Sequence, residues 1–347
     1  MKNQRGSVIL LVGLLLVVFC GVAALAVDIS IITLTKSELQ RVADAAALAG
    51  CRKLGLIYES MTPIEQKNYE CYPYDIIAIS QATAYANTAG TKHIEVSEED
   101  IQVGIWNKKT NTFTPELTKP NAVRVMARRD NISNGPITTT FARVLGKNYS
   151  DVRADAVASL TPQSTIPPGQ LNIPVGISNA WFENKEVFCN QPIKFYPTNT
   201  PEGCAGWNTY TENPANAAKL RSILRQLKAG TYDVPGADTA DSFEFIGGAI
   251  GANFDDMKAL FDYMKIRDDD DDPNTWTTSV VVYDWPDCSN PHGKIKIDGF
   301  ATVVITDVLE APEKTIMAKV VCEKIKPGKG SSQGDYGTMG SIPGLVE

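Results

Sequence analysis

The chain has 347 residues, with 33 Lys and Arg against 40 Asp and Glu and a formal net charge of −7. It is long enough for about two domains, and it lacks the excess of basic residues that is typical of nucleic-acid-binding proteins. Only two histidines occur, His93 and His292, which excludes histidine-rich metal sites and leaves little material for histidine-based acid–base catalysis.

An uncharged apolar run occupies residues 8–27. A helix of about 20 residues rises roughly 30 Å, which matches the hydrocarbon core of a bilayer, and its insertion gains about 4 to 8 kcal/mol. Lys2 and Arg5 precede the run and Asp28 follows it, so the positive-inside rule predicts a cytoplasmic N-terminus and an extracytoplasmic remainder. The side chains expected to form the membrane anchor are Val8, Leu11, Leu15, Phe19, Val22 and Leu25.

A cleaved secretory signal is an alternative interpretation of this region, because Ala24, Leu25 and Ala26 have the small-x-small form that signal peptidase recognises. The apolar run exceeds the roughly 7 to 15 residues of a signal core, which favours the anchor. Residues 48–51, which end at Cys51, have the form of a lipobox. Several charged residues separate them from the apolar run, so we do not expect lipidation there.

The helix is predicted to continue beyond the membrane as far as Gly50 or Gly55. A stripe of small and apolar residues repeats at spacings of three and four along it, and we expect this stripe to pack. Its surface could contact the protein's own domain or neighbouring subunits, and the pattern does not decide between them. The stripe consists of Leu39, Val42, Ala46 and Ala49.

A family resemblance is carried by this N-terminal region. RGSV at residues 5–8, the apolar run, AVD at 26–28 and LQRVADAAALAG at 39–50 resemble the N-terminal signature of TadE/TadG-like proteins of the tight adherence (Tad, or Flp) pilus system. Further similar segments are VRV at 123–125, FARVLG at 141–146 and VRADAVA at 152–158.

The resemblance implies a membrane-anchored, pseudopilin-like or TadG-like pilus component and not a catalyst. Two features of the family pattern are missing here. Gly6 stands where prepilin processing would occur, but Leu11 takes the place of the usual glutamate. Some TadG-like proteins carry a von Willebrand A domain with a metal-binding Asp-x-Ser-x-Ser, and residues 28–32 do not complete that string, so no metal site is expected.

Residues 28–160 are predicted to form a first soluble domain, pilin-like or TadG-like and of the α+β class. Apolar spacing indicates a helix at 74–89, and strict alternation indicates strands at 101–106 and 122–127 that pair as antiparallel neighbours. A short helix at 138–145 and a strand at 152–158 complete the pattern.

A proline-rich stretch, residues 161–170, is predicted to link this domain to a second α+β domain at 171–326. Helices are expected at 214–229 and 254–264. Strands are expected at 171–177, 193–196, 279–283, 300–305 and 315–321. Residues 327–347 are rich in Gly and Ser, which predicts a flexible tail. The predicted fold is therefore a transmembrane helix that continues as a long helix, followed by two α+β domains with antiparallel sheets.

Of the seven cysteines, Cys20 lies within the apolar run and six lie on the predicted oxidising side of the membrane. Fifteen pairings are possible for six cysteines. Proximity in sequence favours the pairs Cys51–Cys71, Cys189–Cys204 and Cys288–Cys322. A zinc site is the alternative, but no close Cys-x-x-Cys pair supports it.

Several motifs resemble active sites but lack the neighbouring residues or elements that such sites require. Residues 330–334 match Gly-x-Ser-x-Gly but lie in the Gly/Ser-rich tail. The acidic run at 268–272 is followed by Pro273 where a calcium loop needs glycine, so an EF-hand is excluded, and weak cation binding or a solvated loop remain as interpretations. His292 lies close to Cys288, but a cysteine expected to be oxidised cannot act as a thiolate nucleophile.

The sequence therefore predicts a non-enzymatic, single-pass protein of the bacterial cytoplasmic (inner) membrane. It would use no cofactor, bind no nucleic acid, contact lipid through its helix and act through other pilus-assembly or pilin-like subunits. If the helix stripe contacts neighbours, an arginine at Ala46 would abolish that association while the outer domains stay folded. The alternative is a membrane-tethered binding module or adhesin for a surface ligand or glycan of unknown identity, and an envelope hydrolase is a third, weaker hypothesis.

Overall fold

The computed structural model describes residues 5–183, 187–195, 203–246, 253–268, 272–331 and 334–347, without the side chains of residues 5–10. The chain divides into two compact units. The first unit comprises Met1–Lys53, Tyr72–Ser159 and Leu345–Glu347, and the second comprises Leu54–Cys71 and Leu160–Gly344. Both contain helices and strands, so the predicted α+β class is confirmed.

The longest element is helix α1 (Arg5–Glu59), whose 55 residues extend about 80 Å. It runs past both Gly50 and Gly55, where the sequence predicted its end. At Gly50 an added Cβ would collide with Ser80 and lie 3.2 Å from Val123, and at Gly55 it would collide with the backbone of Ser341. These glycines therefore permit close packing on a continuous helix instead of terminating it.

The first unit packs helices against a five-stranded sheet of order β20-β8-β5-β3-β4. The predicted strands and their antiparallel pairing are confirmed, with Ile101 opposite Val125 and Val123 opposite Ala158. Its elements, besides α1, are α3 (Tyr74–Tyr85), β1 (Thr88–Ala89), β2 (Lys92–His93), β3 (Ile101–Asn107), β4 (Thr112–Pro115), β5 (Ala122–Arg129), β6 (Ile137–Thr138), β7 (Tyr149–Ser150) and β8 (Val152–Ser159), with β20 (Gly344–Leu345) at the sheet edge.

The prediction of a helix at 138–145 is wrong for most of that range. Strands β6 and β7 form a small hairpin with Ile137 opposite Ser150, and only Ala142–Leu145 at its tip form a 3₁₀ turn. Gly146 ends this turn in the left-handed region, at φ +83°, as the sequence indicated. Threonine at 138–140 favours extended backbone, which explains why the helix does not begin there.

The second unit contains a seven-stranded sheet of order β11-β17-β16-β14-β12-β10-β15, in which β16 also pairs with β15. That extra pairing closes five of the strands on one another around an aromatic and aliphatic core. The unit's elements are α2 (Pro63–Lys67), α4 (Asn179–Glu183), α5 (Ala217–Ala229), α6 (Phe254–Met264), β9 (Thr165–Ile166), β10 (Val175–Ser178), β11 (Pro192–Phe195), β12 (Ala205–Asn208), β13 (Ala237–Asp238), β14 (Ser242–Ile246), β15 (Trp276–Tyr283), β16 (Gly293–Leu309), β17 (Thr315–Val321), β18 (Lys324–Lys329) and β19 (Thr338–Ile342).

The predicted helices and the strands of the last third are found in this unit, with β15 and β16 longer than expected. Strand β10 is shorter than its predicted range of 171–177, and Tyr196 of the predicted strand 193–196 lies outside the described residues. The core includes Trp181, Phe243 and Phe300 together with Leu224 of α5 and Leu260 of α6.

The C-terminal region differs from the expected flexible tail. Strands β18 and β19 pair in parallel, with Ile325 opposite Met339, and Thr338 is buried. The proline-rich stretch also has partners, since β9 pairs with β13 and Gln163 bridges to Gly330. Glycines serve here at close backbone approaches, because a Cβ at Gly328 or Gly330 would collide with the chain at Thr165 or Thr161.

Candidate functional site

The N-terminal third of α1 presents apolar side chains on every face. Leu11, Phe19 and Val22 are 59%, 71% and 62% exposed, and Leu15 is exposed as well. Leu25 is half-buried, and the side chain of Val8 lies outside the described residues. By length and composition this helix can cross a membrane. A helix that is apolar all round and unburied is typical of a membrane span and not of a soluble core helix.

One face of α1 becomes buried from Leu25 onward. Asp28 and Thr35 are 3% and 2% exposed, and they begin the face that packs into the first unit. The rest of the helix surface stays exposed and uncharged for about two more turns, through Ile29, Ile31 and Leu34, and Lys36 is its first charged residue. The lipid-compatible surface therefore ends near Leu34 on this side, and not at Val27.

Asp28 fastens the tip of the β6–β7 hairpin to the helix. Its carboxylate accepts hydrogen bonds from the backbone N–H groups of Thr140, Phe141 and Ala142 at 2.9, 2.8 and 2.6 Å. A buried carboxylate with three N–H donors is fully satisfied, so this contact fixes the tip at the level of residue 28 on α1.

The predicted packing stripe lies inside the first unit. Leu39 and Ala46 are fully buried, Val42 is 1% exposed and Ala49 is half-buried. Of the two alternatives left open by the sequence, the structure therefore shows packing against the protein's own domain. Small side chains at these positions let the helix approach the sheet closely, and the same feature would permit close approach to a neighbour, which is why the pattern alone could not decide.

Polar contacts join the first unit to α1 at several positions along the helix. Glu38 accepts a hydrogen bond from the N–H of Gly90 at 2.7 Å, and the amide of Gln40 donates to the carbonyl of Asp155 at 2.9 Å. Near the far end, the thiol of Cys51 lies 3.9 Å from the carbonyl oxygen of Asn121. The turn around Asn121 is thus about 35 Å along the helix axis from Asp28.

A buried charge network supports the sheet of this unit. Asp130 is 1% exposed, accepts N–H bonds from Ile132 and Ser133 at 2.8 and 3.0 Å, and pairs with Arg153 at 2.9 Å. Burial alone would raise the pKa of Asp130, but these backbone donors and the Arg153 guanidinium lower it below its ordinary value. Arg128 forms a close ion pair with Asp100 beside it.

Replacing Asp130 with asparagine is expected to destabilise the first unit by about 1 to 3 kcal/mol at pH 7, because one charge-assisted acceptor is lost. Since the folded-state pKa is lowered, the stabilisation by the carboxylate is complete above its ordinary pKa and is lost as pH falls through the folded-state pKa. In denaturant unfolding, the difference in unfolding free energy between wild type and D130N should therefore stay constant from pH 7 to about pH 5 and shrink as the pH falls further. A difference independent of pH would contradict this assignment.

The predicted cysteine pairing is wrong. Disulfides join Cys189 to Cys322 and Cys204 to Cys288, while the three remaining cysteines are thiols: Cys20, Cys51 and Cys71. Sheet topology, and not sequence proximity, brings the partners together. Strand β11 pairs with β17, and β10 pairs with both β12 and β15, which brings the start of β12 and the end of β15 to the same end of β10.

In the described residues, none of the motifs that resemble active sites has its side chains arranged for catalysis. Cys288 is in a disulfide, and His292 contacts the indole ring of Trp285. Asp268 accepts the N–H of Thr277 at 2.6 Å, while residues 269–271 of the acidic run and Ser332 of the Gly-x-Ser-x-Gly string lie outside the described residues. Within the described ranges, no group of His, Cys, Asp or Glu is placed to hold a metal ion.

Comparison with known proteins identifies two families in the N-terminal part of the chain. Residues 6–53 match the family described as Flp pilus-assembly TadE/G-like, and residues 67–158 match the family described as Tad-like Flp pilus-assembly. The resemblance seen in the sequence is thereby confirmed for this region, which contains α1 as far as Lys53, the Asp28 contact and most of the first unit. No curated protein and no solved structure matches the chain.

Proposed function

We propose that this protein, whose residues 6–53 and 67–158 match the Tad-type Flp pilus-assembly families, is a TadG-like or pseudopilin-like minor subunit of such a system. It would act by protein–protein contacts and without catalysis. The observation that carries the proposal is the continuous helix α1, whose exposed apolar third leads directly into the domain that the families describe.

The proposed location is the cytoplasmic (inner) membrane of a bacterium, with the N-terminus inside and both units outside. Lys2 and Arg5 before the apolar segment and Asp28 after it support this orientation. The disulfides Cys189–Cys322 and Cys204–Cys288 support it independently, because disulfides persist in oxidising compartments and are rare in the cytosol.

The surface available to partner subunits is the exposed part of α1. The buried residues Leu39, Val42 and Ala46 already pack within the first unit, so they cannot serve a neighbour without unfolding it. The exposed segment from Leu11 to Leu34 includes Gly13 and Gly21, around which no atom lies within 4 Å of an added Cβ. Small residues on a lipid-facing helix allow another helix to approach closely.

A helix exchange in the native host tests this proposal. In a strain that lacks the gene, the wild-type chain is expected to restore surface pili, counted by electron microscopy and by immunoblotting of sheared pilin. A chain whose residues 8–24 are replaced by an unrelated single-pass transmembrane helix of equal length should reach the membrane but fail to restore pili, because the partner-facing surface is lost.

The exchanged helix is the matched control for tethering alone, since it preserves membrane attachment and all residues from Leu25 onward. Full restoration of pili by this chain would contradict helix packing with partners. Normal pili in the gene-deleted strain, combined with loss of attachment to a surface, would favour the adhesin alternative. Intact mass of the mature protein checks the anchor, because cleavage after Ala26 would contradict it.

A further inference from the structure

The β6–β7 hairpin carries an apolar surface that the proposed pilus function does not use. At its tip, residues 139–148, Val144 and Leu145 are 87% and 72% exposed, and Phe141 is 42% exposed. Tyr149 follows at 57% exposed. Large apolar side chains in an exposed turn are unfavourable in water, so a cluster of them indicates a surface that is covered in the working protein.

The hairpin tip is held firmly in this position. Its base is closed by the β6–β7 pairing, and the N–H of Thr139 donates to the carbonyl of Asn148 at 3.0 Å. Within it, the N–H groups of Gly146 and Lys147 donate to the carbonyls of Arg143 and Ala142 at 3.0 Å. Together with the three bonds to Asp28, these contacts present the apolar side chains in a fixed arrangement.

The depth of the hairpin tip follows from Asp28. Residues 8–27 span about 30 Å, the thickness of the hydrocarbon core, so Asp28 lies where hydrocarbon meets headgroups. The exposed, uncharged surface of α1 continues to Leu34, about 9 Å further, which is slightly more than the roughly 5 to 8 Å depth of a headgroup layer. The tip is hydrogen-bonded to α1 at Asp28, where the headgroup layer meets the hydrocarbon core.

The charge of the hairpin tip suits the same environment. Arg143 and Lys147 are exposed, and residues 139–148 contain no acidic side chain, although the whole chain is acidic. Exposed apolar and aromatic side chains beside basic groups are typical of segments that insert into the interface of membranes containing anionic lipids.

We infer that the hairpin tip is a second membrane contact, in which Phe141, Val144 and Leu145 insert into the outer interface of the bilayer that α1 crosses. The occupant of this surface is lipid, because the tip is bonded to the helix at the level where the span ends. The first unit would then contact the membrane at two points, through the transmembrane helix and through the hairpin tip. These two contacts would restrain the tilt of the first unit relative to the bilayer. This inference depends on the membrane anchoring in the proposed function.

Depth-dependent fluorescence quenching tests the inference on the full-length protein. Val144→Cys is labelled with an environment-sensitive nitrobenzoxadiazole dye in a background of Cys20→Ala, Cys51→Ala and Cys71→Ala, and the protein is reconstituted into phosphatidylethanolamine–phosphatidylglycerol vesicles. Nitroxide lipids with the spin label near the headgroup should quench the dye several-fold more than lipids with a deep label.

Leu117 supplies the control, because it is also an exposed aliphatic residue of the first unit, at 41%, but precedes the turn that lies about 35 Å along α1 from Asp28. A dye at Leu117→Cys should show little quenching. Equal quenching at positions 117 and 144 would overturn the inference, as would quenching at 144 that appears only at high protein-to-lipid ratios, which would indicate contact between copies.

A third label separates this inference from the proposed anchor. A dye at Phe19→Cys should be quenched by the deep nitroxide if α1 spans the bilayer. Loss of the Phe19 signal would contradict the anchor itself, whereas a normal Phe19 signal without quenching at 144 would overturn the hairpin inference alone.

Asp28→Ala tests the role assigned to the carboxylate. In this variant the signal at Val144 should fall towards that at Leu117 while the Phe19 signal is unchanged, and hydrogen exchange at the amides of residues 140–142 should accelerate. An unchanged signal at Val144 would contradict the positioning role of Asp28.

Discussion

Replacing Ala46 with arginine is expected to unfold the first unit, with a loss of about 4 kcal/mol or more. Ala46 is fully buried on the face of α1 that packs into its own domain, so the new side chain would place an unpaired charge in a close-packed interior. This outcome differs from the prediction made from the sequence alone, in which the outer domains stay folded and only partner binding is lost.

Hydrogen exchange of the detergent-solubilised chain measures the effect where it occurs. Amides of β3 and β5 should lose protection in A46R, whereas β15 and β16 of the second unit should keep theirs. Ser37→Arg is the matched control, since residue 37 lies on the exposed side of the same helix. Full protection of β5 in A46R would show that Ala46 is not part of the core.

Removing the disulfide between Cys189 and Cys322 by a double serine substitution is expected to destabilise the second unit by up to about 5 kcal/mol in the chain-entropy estimate. The large value follows from the sequence separation of 133 residues between the two cysteines, because a long closed loop restricts the unfolded chain strongly. The disulfide that was predicted from the sequence, between Cys189 and Cys204, would have closed a far shorter loop.

Denaturant unfolding monitored by tryptophan fluorescence checks this effect, since Trp181, Trp207 and Trp276 are all buried in the second unit. The control is Cys20→Ser, which changes an exposed thiol and should leave the transition unchanged. Mild reduction of the wild-type protein should reproduce the loss. A double variant as stable as the wild type would contradict a structural role for this bond.

The parts of the fold that the sequence predicted well depend on local patterns. Alternating residues in β3 and β5 and the apolar spacing of α6 require only neighbouring positions, and these elements were found within a few residues of their predicted limits. The long apolar helix at the N-terminus was equally clear, because its signal is a long uncharged run.

The parts that the sequence could not predict depend on contacts between distant residues. The partner of Cys189 is set by the pairing of β11 with β17, and the partner of Cys204 by the pairings of β10 with β12 and β15. Likewise, the Asp28 contact joins residues more than 110 positions apart. From the sequence, Asp28 is only the charge that ends the apolar run. Further apolar residues follow it as far as Leu34, and an acidic residue within such a segment could have indicated a buried polar contact.

The last three residues return to the first unit, where the N–H of Val346 donates to the carbonyl of Val157 at 2.9 Å and the N–H of Val157 donates to the carbonyl of Glu347 at 3.0 Å. The sheet of the first unit is therefore completed by a segment that is synthesised only after residues 160–344, most of the second unit. A chain interrupted before this point would leave β8 as an unpaired edge, open to other strands. The first unit can thus be completed only after residues 160–344 have been synthesised.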